Sequence, residues 1–118
     1  MRDTKNIQDR EIFDSKTAMD RIGNNKKLFD EYVSIVIQDI PISLDKLNKA
    51  LSGHDFKTIT AQAHSVKTMA ATIGANLLRN VALEVENSGR SGNIEAIHKL
   101  AINLNDEFER FRHFVSKK

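Results

Sequence analysis

The amino-acid sequence predicts an all-α protein: an antiparallel up-down four-helix bundle with a short additional N-terminal helix. Chain breakers are scarce, since the 118 residues contain one proline and five glycines, and this disfavours a turn-rich β fold. Apolar residues recur at steps of three and four along four long segments, as they do in amphipathic helices. Only a few residues separate these segments, so neighbouring helices should run antiparallel and bury their apolar faces together.

The N-terminal part of the chain is predicted to differ from the rest. Residues 1–12 are mostly polar, and we expect a flexible segment there, with the bundle domain spanning residues 13–118. A short helix follows, capped by Asp14 or Ser15 and ended by Gly23. One side of this helix carries the apolar residues Ala18, Met19 and Ile22.

The first long helix contains the only proline. Asn24 or Asn25 can cap it, and Pro41 lies inside its pattern, where proline kinks or breaks a helix. Because the apolar stripe keeps its phase across Pro41, we expect either one bent helix or two helices in near-continuous line. The stripe consists of Phe29, Val33, Val36, Ile40, Leu44, Leu47 and Leu51.

Three further helices complete the predicted bundle. The second long helix follows the N-cap Asp55 and closes at Gly74 in the left-handed conformation. The third runs out at Ser88-Gly89, and the fourth follows Ser91-Gly92-Asn93. Their apolar stripes are Phe56, Ile59, Ala63, Val66, Ala70 and Ile73, then Leu77, Leu78, Val81, Ala82 and Val85, then Ile94, Ile97, Ala101, Leu104, Phe108, Phe111 and Val115.

Composition and motifs exclude several functional classes. The chain has no cysteine, which excludes disulfides and thiolate metal sites. It has no run of about 18 apolar residues and no secretory signal at its start, so we expect a cytoplasmic protein that does not span a membrane. The net charge of +2 is small and gives little support to nucleic-acid binding. Without a glycine-rich phosphate loop or a histidine pair at i, i+4, neither a nucleotide site nor a metal site is predicted.

His64 has neighbours that suit a chemical role. It follows the core residue Ala63, so it lies about 100° round the helix and off the apolar stripe. Imidazole is a good nucleophile near neutral pH, and Lys67 can offset the charge of a phosphoryl group. A lone exposed histidine with a lysine at i+3 is nevertheless common and usually has no function. The residues that share its face are small, polar or basic, and none is acidic: Lys57, Thr60, Ala61, Lys67, Thr68 and Ala71.

A longer motif surrounds this histidine. The segment from Ala63 to Ala75, AHSVKTMAATIGA, resembles the signature of histidine-containing phosphotransfer domains, roughly A-H-x-L-K-G-x-A-x-x-[IVL]-G-A. The resemblance covers residues 13–115, nearly the whole chain. It continues at Phe13-Asp14, Ile22-Gly23, the Phe29 helix with its Pro41, Leu77-Leu78, Val85-Glu86 and Gly92-Asn93.

The resemblance implies a role for each matching residue. His64 takes the phosphoacceptor position, and Lys67 takes the basic position that stabilises the phosphoryl group. Glu86 stands where a side chain of the next helix can accept the imidazole N–H and orient the ring, while the attacking nitrogen stays open. The surface around His64 would then be the docking surface for partners, with Lys57, Thr60, Ala61, Thr68 and Ala71 within it.

The resemblance also implies partners and a reaction. The protein would accept a phosphoryl group from a receiver-domain phosphoaspartate and pass it to another receiver domain in a two-component phosphorelay. Its partners would be response-regulator receiver domains and a hybrid sensor histidine kinase. It would be a monomeric phosphocarrier without autonomous kinase activity. It would need no cofactor of its own, since Mg²⁺ belongs to the receiver.

One residue departs from the family pattern and keeps an alternative open. The family usually has glycine where this chain has Thr68, one turn after the histidine. Thr68 mildly favours a docking module of the same fold, which would bind a kinase or receiver domain without carrying phosphate. A plain structural bundle with an exposed His64 is the third hypothesis.

Overall fold

Four long helices and two short ones make up the computed structural model, which describes residues 8–117. No strand occurs between residues 8 and 117, so the predicted all-α class is confirmed. The helices are α1 (Asp9–Ile12), α2 (Ser15–Asp20), α3 (Lys26–Ser52), α4 (Phe56–Ile73), α5 (Asn76–Ser91) and α6 (Ile94–Ser116).

Short polar side chains begin four of these helices. Asp14, Asn25, Asp55 and Asn93 each accept a hydrogen bond from the backbone N–H three residues later, which satisfies a free donor of the first helical turn. The predicted caps are therefore confirmed, with Asp14 and Asn25 as the caps of α2 and α3. Asn24 instead lies in the preceding turn, with φ of 61°.

Pro41 does not interrupt α3, which is one helix from Lys26 to Ser52. The alternative of two separate helices is therefore wrong. Pro41 is exposed, whereas Ile40 and Leu44 are buried. Burial of the stripe on both sides of the proline offsets the loss of one backbone hydrogen bond.

The end of α5 differs from the prediction. The helix does not run out at Ser88-Gly89 but continues to Ser91, and Gly92 closes it with φ of 71°. Gly89 lies inside the helix and is buried, and a Cβ atom there would overlap the Oγ1 atom of Thr60. Gly89 therefore permits a close approach of α4 and α5 instead of ending a helix. Gly74 does close α4 as predicted, with φ of 80°.

The long helices pack in chain order. α3 packs on α4, α4 on α5 and α5 on α6, while α6 returns to α3. Thr60 faces Gly89, and Lys67, further along α4, bonds to Glu86, so α4 and α5 run antiparallel. Asn48 of α3 and Asn105 of α6 exchange two side-chain hydrogen bonds of 3.2 Å. The predicted stripes supply most of the buried core.

The chain before α3 is fastened to one end of the bundle. The backbone N–H of Asp14 donates to the carbonyl oxygen of Gly74 at 2.8 Å. The Phe13 ring lies edge-on to Phe111 and stacks on Phe29. Of the segment predicted to be flexible, residues 1–7 lie outside the described residues, and its last four residues form the unpredicted helix α1.

Candidate functional site

His64 lies midway along α4, on the face turned away from the core. Its side chain is 57% exposed, whereas its neighbours Ala63 and Val66 are fully buried. The prediction that His64 leaves the apolar stripe is confirmed by this burial pattern. The ring is fixed on one side only, because its Nδ1 atom lies 2.9 Å from the Oε2 atom of Glu86 on α5.

Glu86 is fully buried and is surrounded by nitrogen donors. Lys67 Nζ lies 2.7 Å from its Oε1 atom, and Arg90 Nη2 lies 2.8 Å from its Oε2 atom, which His64 also contacts. A buried carboxylate is tolerated only when such partners offset its lost hydration. The Lys67 side chain is 23% exposed, so the ion pair that it forms with Glu86 is largely shielded from solvent.

The charge state of Glu86 determines which nitrogen of the His64 ring carries the hydrogen. Burial raises its pKa, but hydrogen bonds from Lys67 and His64 and the charges of Lys67 and Arg90 outweigh burial and lower the pKa below its ordinary value. An ionised carboxylate only accepts hydrogen bonds, so His64 Nδ1 carries the hydrogen. In the neutral ring, the lone pair is then on Nε2.

Two grooves flank His64. The α5-side groove lies between α4 and α5, and the α3-side groove lies between α3 and α4. The first is lined by Phe56, Lys57, Thr60, Ala61, His64, Glu86, Gly89 and Arg90. The second is lined by Asp39, Ile42, Ser43, His64, Ser65, Thr68 and Met69.

The predicted docking residues fall into these grooves and a third hollow. Lys57, Thr60 and Ala61 line the α5-side groove, and Thr68 lines the α3-side groove. Thr68 and Ala71 also line a hollow on the far side of Lys67, beside α2. The structure thus brings all five residues onto the surface around His64, while their role in docking stays a prediction.

Three arginines near the site were not predicted. Arg90 comes four residues after Glu86, a spacing that pairs charges on one helix face and is visible in the sequence. Arg21 and Arg79 line the hollow that contains Thr68 and Ala71. Arg21 belongs to the turn after α2 and Arg79 to α5, so only the tertiary packing brings them together.

The remaining histidines do not resemble His64. His54, His98 and His113 are exposed, and none of them lines the two grooves that flank His64. Across residues 8–117, no group of three or more histidine, aspartate or glutamate side chains is placed to hold a metal ion. Within the same range, no helix combines the length and the apolar character needed to cross a membrane.

Comparisons with known proteins give a family. A family model described as the Hpt domain matches residues 31–114. The structure of histidine-containing phosphotransfer protein B (HptB) from Pseudomonas aeruginosa PAO1 is similar, with a TM-score of 0.74 and 22% identity, and covers 98% of this chain and 96% of that one. The HPT domain of an Hpt sensor hybrid histidine kinase from Shewanella has a TM-score of 0.80 and 16% identity, covering 92% and 94% respectively. No curated protein matches the sequence. Because the family model matches most of its length, this chain belongs to the Hpt domain family, and that membership supports a histidine phosphotransfer role in phosphorelays.

Proposed function

We propose that this protein accepts a phosphoryl group on Nε2 of His64 from a receiver-domain phosphoaspartate and passes it to another receiver domain. One observation carries the proposal: an exposed imidazole has its Nδ1 atom held by a buried, ionised carboxylate. That contact orients the ring and leaves the Nε2 lone pair free for attack. The partners are response-regulator receiver domains and a hybrid sensor histidine kinase.

The transfer step is an in-line displacement at phosphorus. The Nε2 lone pair forms the N–P bond while the P–O bond to the aspartate breaks, and the electron pair leaves with the aspartate carboxylate. The hydrogen on Nδ1 stays in place, so the phosphorylated ring carries a positive charge. Glu86 stabilises that charge through its hydrogen bond to Nδ1. The same step in reverse delivers the group to a second receiver.

Lys67 supports the phosphorylated state. It comes one turn after His64 on α4, and its ammonium group already lies at the site through its contact with Glu86. Charge-assisted hydrogen bonds from an ammonium group to phosphoryl oxygens are strong ones. The receiver and its Mg²⁺ supply the remaining stabilisation of the transferring group.

Labelling from a donor tests the proposal. A panel of receiver domains carrying labelled phosphoaspartate, together with a small phosphodonor such as phosphoramidate, should label the protein. ATP alone should not. His64→Gln keeps a polar side chain but lacks the nucleophilic ring, so it should abolish labelling. His98→Gln is the matched control, since His98 is also an exposed helical histidine, and this variant should be labelled normally.

The stability of the label identifies the bond. A phosphoramidate product should survive base and be lost in mild acid. If His64→Gln still takes up label, or if the unmutated protein takes up none from any receiver, the relay proposal is wrong. The docking module favoured by Thr68 would then stand, and its sign would be receiver or kinase binding without labelling.

A further inference from the structure

A basic hollow lies beside the phosphoacceptor face. We use this name for the depression whose lining consists of Ala18, Arg21, Ile22, Lys67, Thr68, Ala71, Thr72 and Arg79. Three of its side chains are cationic, and no carboxylate lines it. Lys67 is already paired with the buried Glu86, so Arg21 and Arg79 supply the unmatched charge. Surfaces with cations and no matching anions attract acidic partners.

The arginines of the basic hollow are held in place without neutralisation. Arg21 donates from Nη1 to the carbonyl oxygen of Ala71 at 3.2 Å, and Arg79 donates from Nη1 to the side chain of Asn80 at 3.0 Å. Neither arginine forms an ion pair with another residue of the described chain. Hydrogen bonds from Thr17 lower the pKa of Asp14 and the charge of Arg21 helps to lower it, but the Asp14 carboxylate accepts from the backbone N–H of Thr17 as the cap of α2. Both guanidinium groups therefore keep donors and charge for a partner.

The basic hollow is close enough to His64 for one docking partner to cover both. Thr68 and Ala71 come four and seven residues after His64, which places the basic hollow roughly 6–10 Å further along α4 at 1.5 Å per residue. A protein that brings its own active site to His64 covers that distance as well, since a standard interface buries about 800 Å² on each partner.

The charge around His64 is uneven. The α5-side groove presents the cations Lys57 and Arg90 at its surface, because the one carboxylate that lines it, Glu86, is fully buried beneath Arg90. The α3-side groove instead contains the carboxylate of Asp39 and the apolar side chains of Ile42 and Met69, and Ile42 is 56% exposed. The surface is thus basic towards α2 and α5 and apolar with one acid towards α3.

We propose that this asymmetry orients the receiver domain: the partner's docking face is acidic where it covers α2 and α5, and apolar where it covers α3. Carboxylates of the partner pair with Arg21 and Arg79 in the basic hollow, and this pairing sets the direction in which the partner lies across α4. The inference rests on the proposed function, because it concerns the surface that a receiver covers to reach His64.

Charge reversal tests the proposal with a receiver that transfers to the unmutated protein. The double variant Arg21→Glu/Arg79→Glu should bind it about tenfold more weakly at low salt, because like charges then meet across the interface. The deficit should shrink at high salt, since screening shortens the reach of charges from about 10 Å at 0.1 M to about 3 Å at 1 M. Asp39→Lys should bind no more weakly than the unmutated protein.

Two controls separate this inference from the proposed function. Lys99→Glu changes an exposed lysine of α6, outside the grooves and the basic hollow, and should leave affinity unchanged. Phosphoramidate needs no docking, so it should label the double variant as it labels the unmutated protein. Affinity of the double variant within twofold of the unmutated protein, with the same salt dependence, would overturn the docking polarity. If the double variant loses phosphoramidate labelling as strongly as it loses receiver binding, the defect is not one of docking and the proposal is also overturned. If the unmutated protein takes up no label from any donor, the proposed function itself is refuted.

Discussion

The Nδ1 atom of His64 lies 2.9 Å from a carboxylate oxygen of Glu86, a residue with no exposed surface. An exposed ring is thus anchored to a charge inside the bundle. The same carboxylate also accepts from Lys67 and Arg90. The orientation of the exposed ring and the pairing of two cations therefore depend on one buried side chain.

Glu86→Gln should lower the stability of the fold. The amide has the size of the carboxyl group, but it presents an N–H₂ donor to cations where the carboxylate presents an acceptor. Loss of charge-assisted bonds at a buried site should reduce the free energy of unfolding at neutral pH by about 1–3 kcal/mol. Urea unfolding measures this, with Glu84→Gln, an exposed glutamate of the same helix, as the control. Equal stability of both variants would contradict the contribution assigned to Glu86.

The difference between the unmutated protein and Glu86→Gln should depend on pH. The pKa of Glu86 is lowered in the folded protein from an ordinary value of 4.5. Its contribution is therefore complete above pH 4.5 and is lost as the pH falls towards the folded-state pKa, because the unfolded chain binds the proton first. Urea unfolding of both proteins between pH 7 and pH 3 should show the difference shrinking on acidification. A difference that grows would mean that Glu86 is stabilised in its protonated form.

Lys67→Ala should affect both transfer and stability. The sequence places Lys67 beside His64, but the structure also pairs its partly buried ammonium group with Glu86. Removing it leaves a buried carboxylate oxygen without its donor, at about 1–2 kcal/mol, and slows transfer from a receiver. Lys46→Ala, at an exposed lysine of α3, is the control and should change neither quantity. Transfer at the unmutated rate with every receiver would exclude a role for Lys67 in the reaction.

Thr68→Gly should speed transfer from receivers. Thr68 is exposed and lines both the α3-side groove and the basic hollow, and its branched side chain stands where the family usually has glycine. Removing it clears the approach, while helix propensity lowers stability by only about 0.5 kcal/mol. Asn103→Gly in α6 makes a similar change in propensity away from the site, and should not alter transfer. Thr68→Tyr should weaken receiver binding in a folded protein. If neither Thr68 variant changes transfer or binding, Thr68 lies outside the docking surface.

Gly89→Ala should strain the contact between α4 and α5. A Cβ atom at this position meets the Thr60 side chain, and overpacking of that kind costs about 1–3 kcal/mol, offset by up to about 1 kcal/mol of better helix propensity. In a Thr60→Ala background, the overlapping hydroxyl is gone and the cost should fall. A double-mutant cycle by urea unfolding measures the coupling. Additive effects would show that Thr60 and Gly89 do not restrict each other.

The predicted elements followed from local signals. Apolar stripes and capping residues act over a few residues, and α2 to α4 begin where Asp14, Asn25 and Asp55 cap them. The predicted end of α5 was wrong because Gly89 resembles a helix breaker in sequence, whereas its role is to let Thr60 approach. That role depends on a neighbouring helix and has no local signal.

For the site as well, the sequence predicted what lies on one helix but not what separate helices bring together. Neighbours of His64 on α4 share its face by helical spacing, and the family resemblance placed Glu86 near the ring. The meeting of three donors on Glu86, and of Arg21 with Arg79, depends on how separate helices pack. Only Arg90, one turn from Glu86, had a sequence signal of its own.

The hydrogen bond from Asp14 to Gly74 connects the start of the bundle to the end of the helix that carries His64. With Phe13 wedged between Phe29 and Phe111, it works as a clasp. A pull on the amino-terminal side is carried by α1, which packs on α5 and α6, and by this clasp. Through the clasp, tension reaches α4 at its C-cap Gly74, ten residues beyond His64. The segment before the bundle is therefore mechanically coupled to the helix that carries His64.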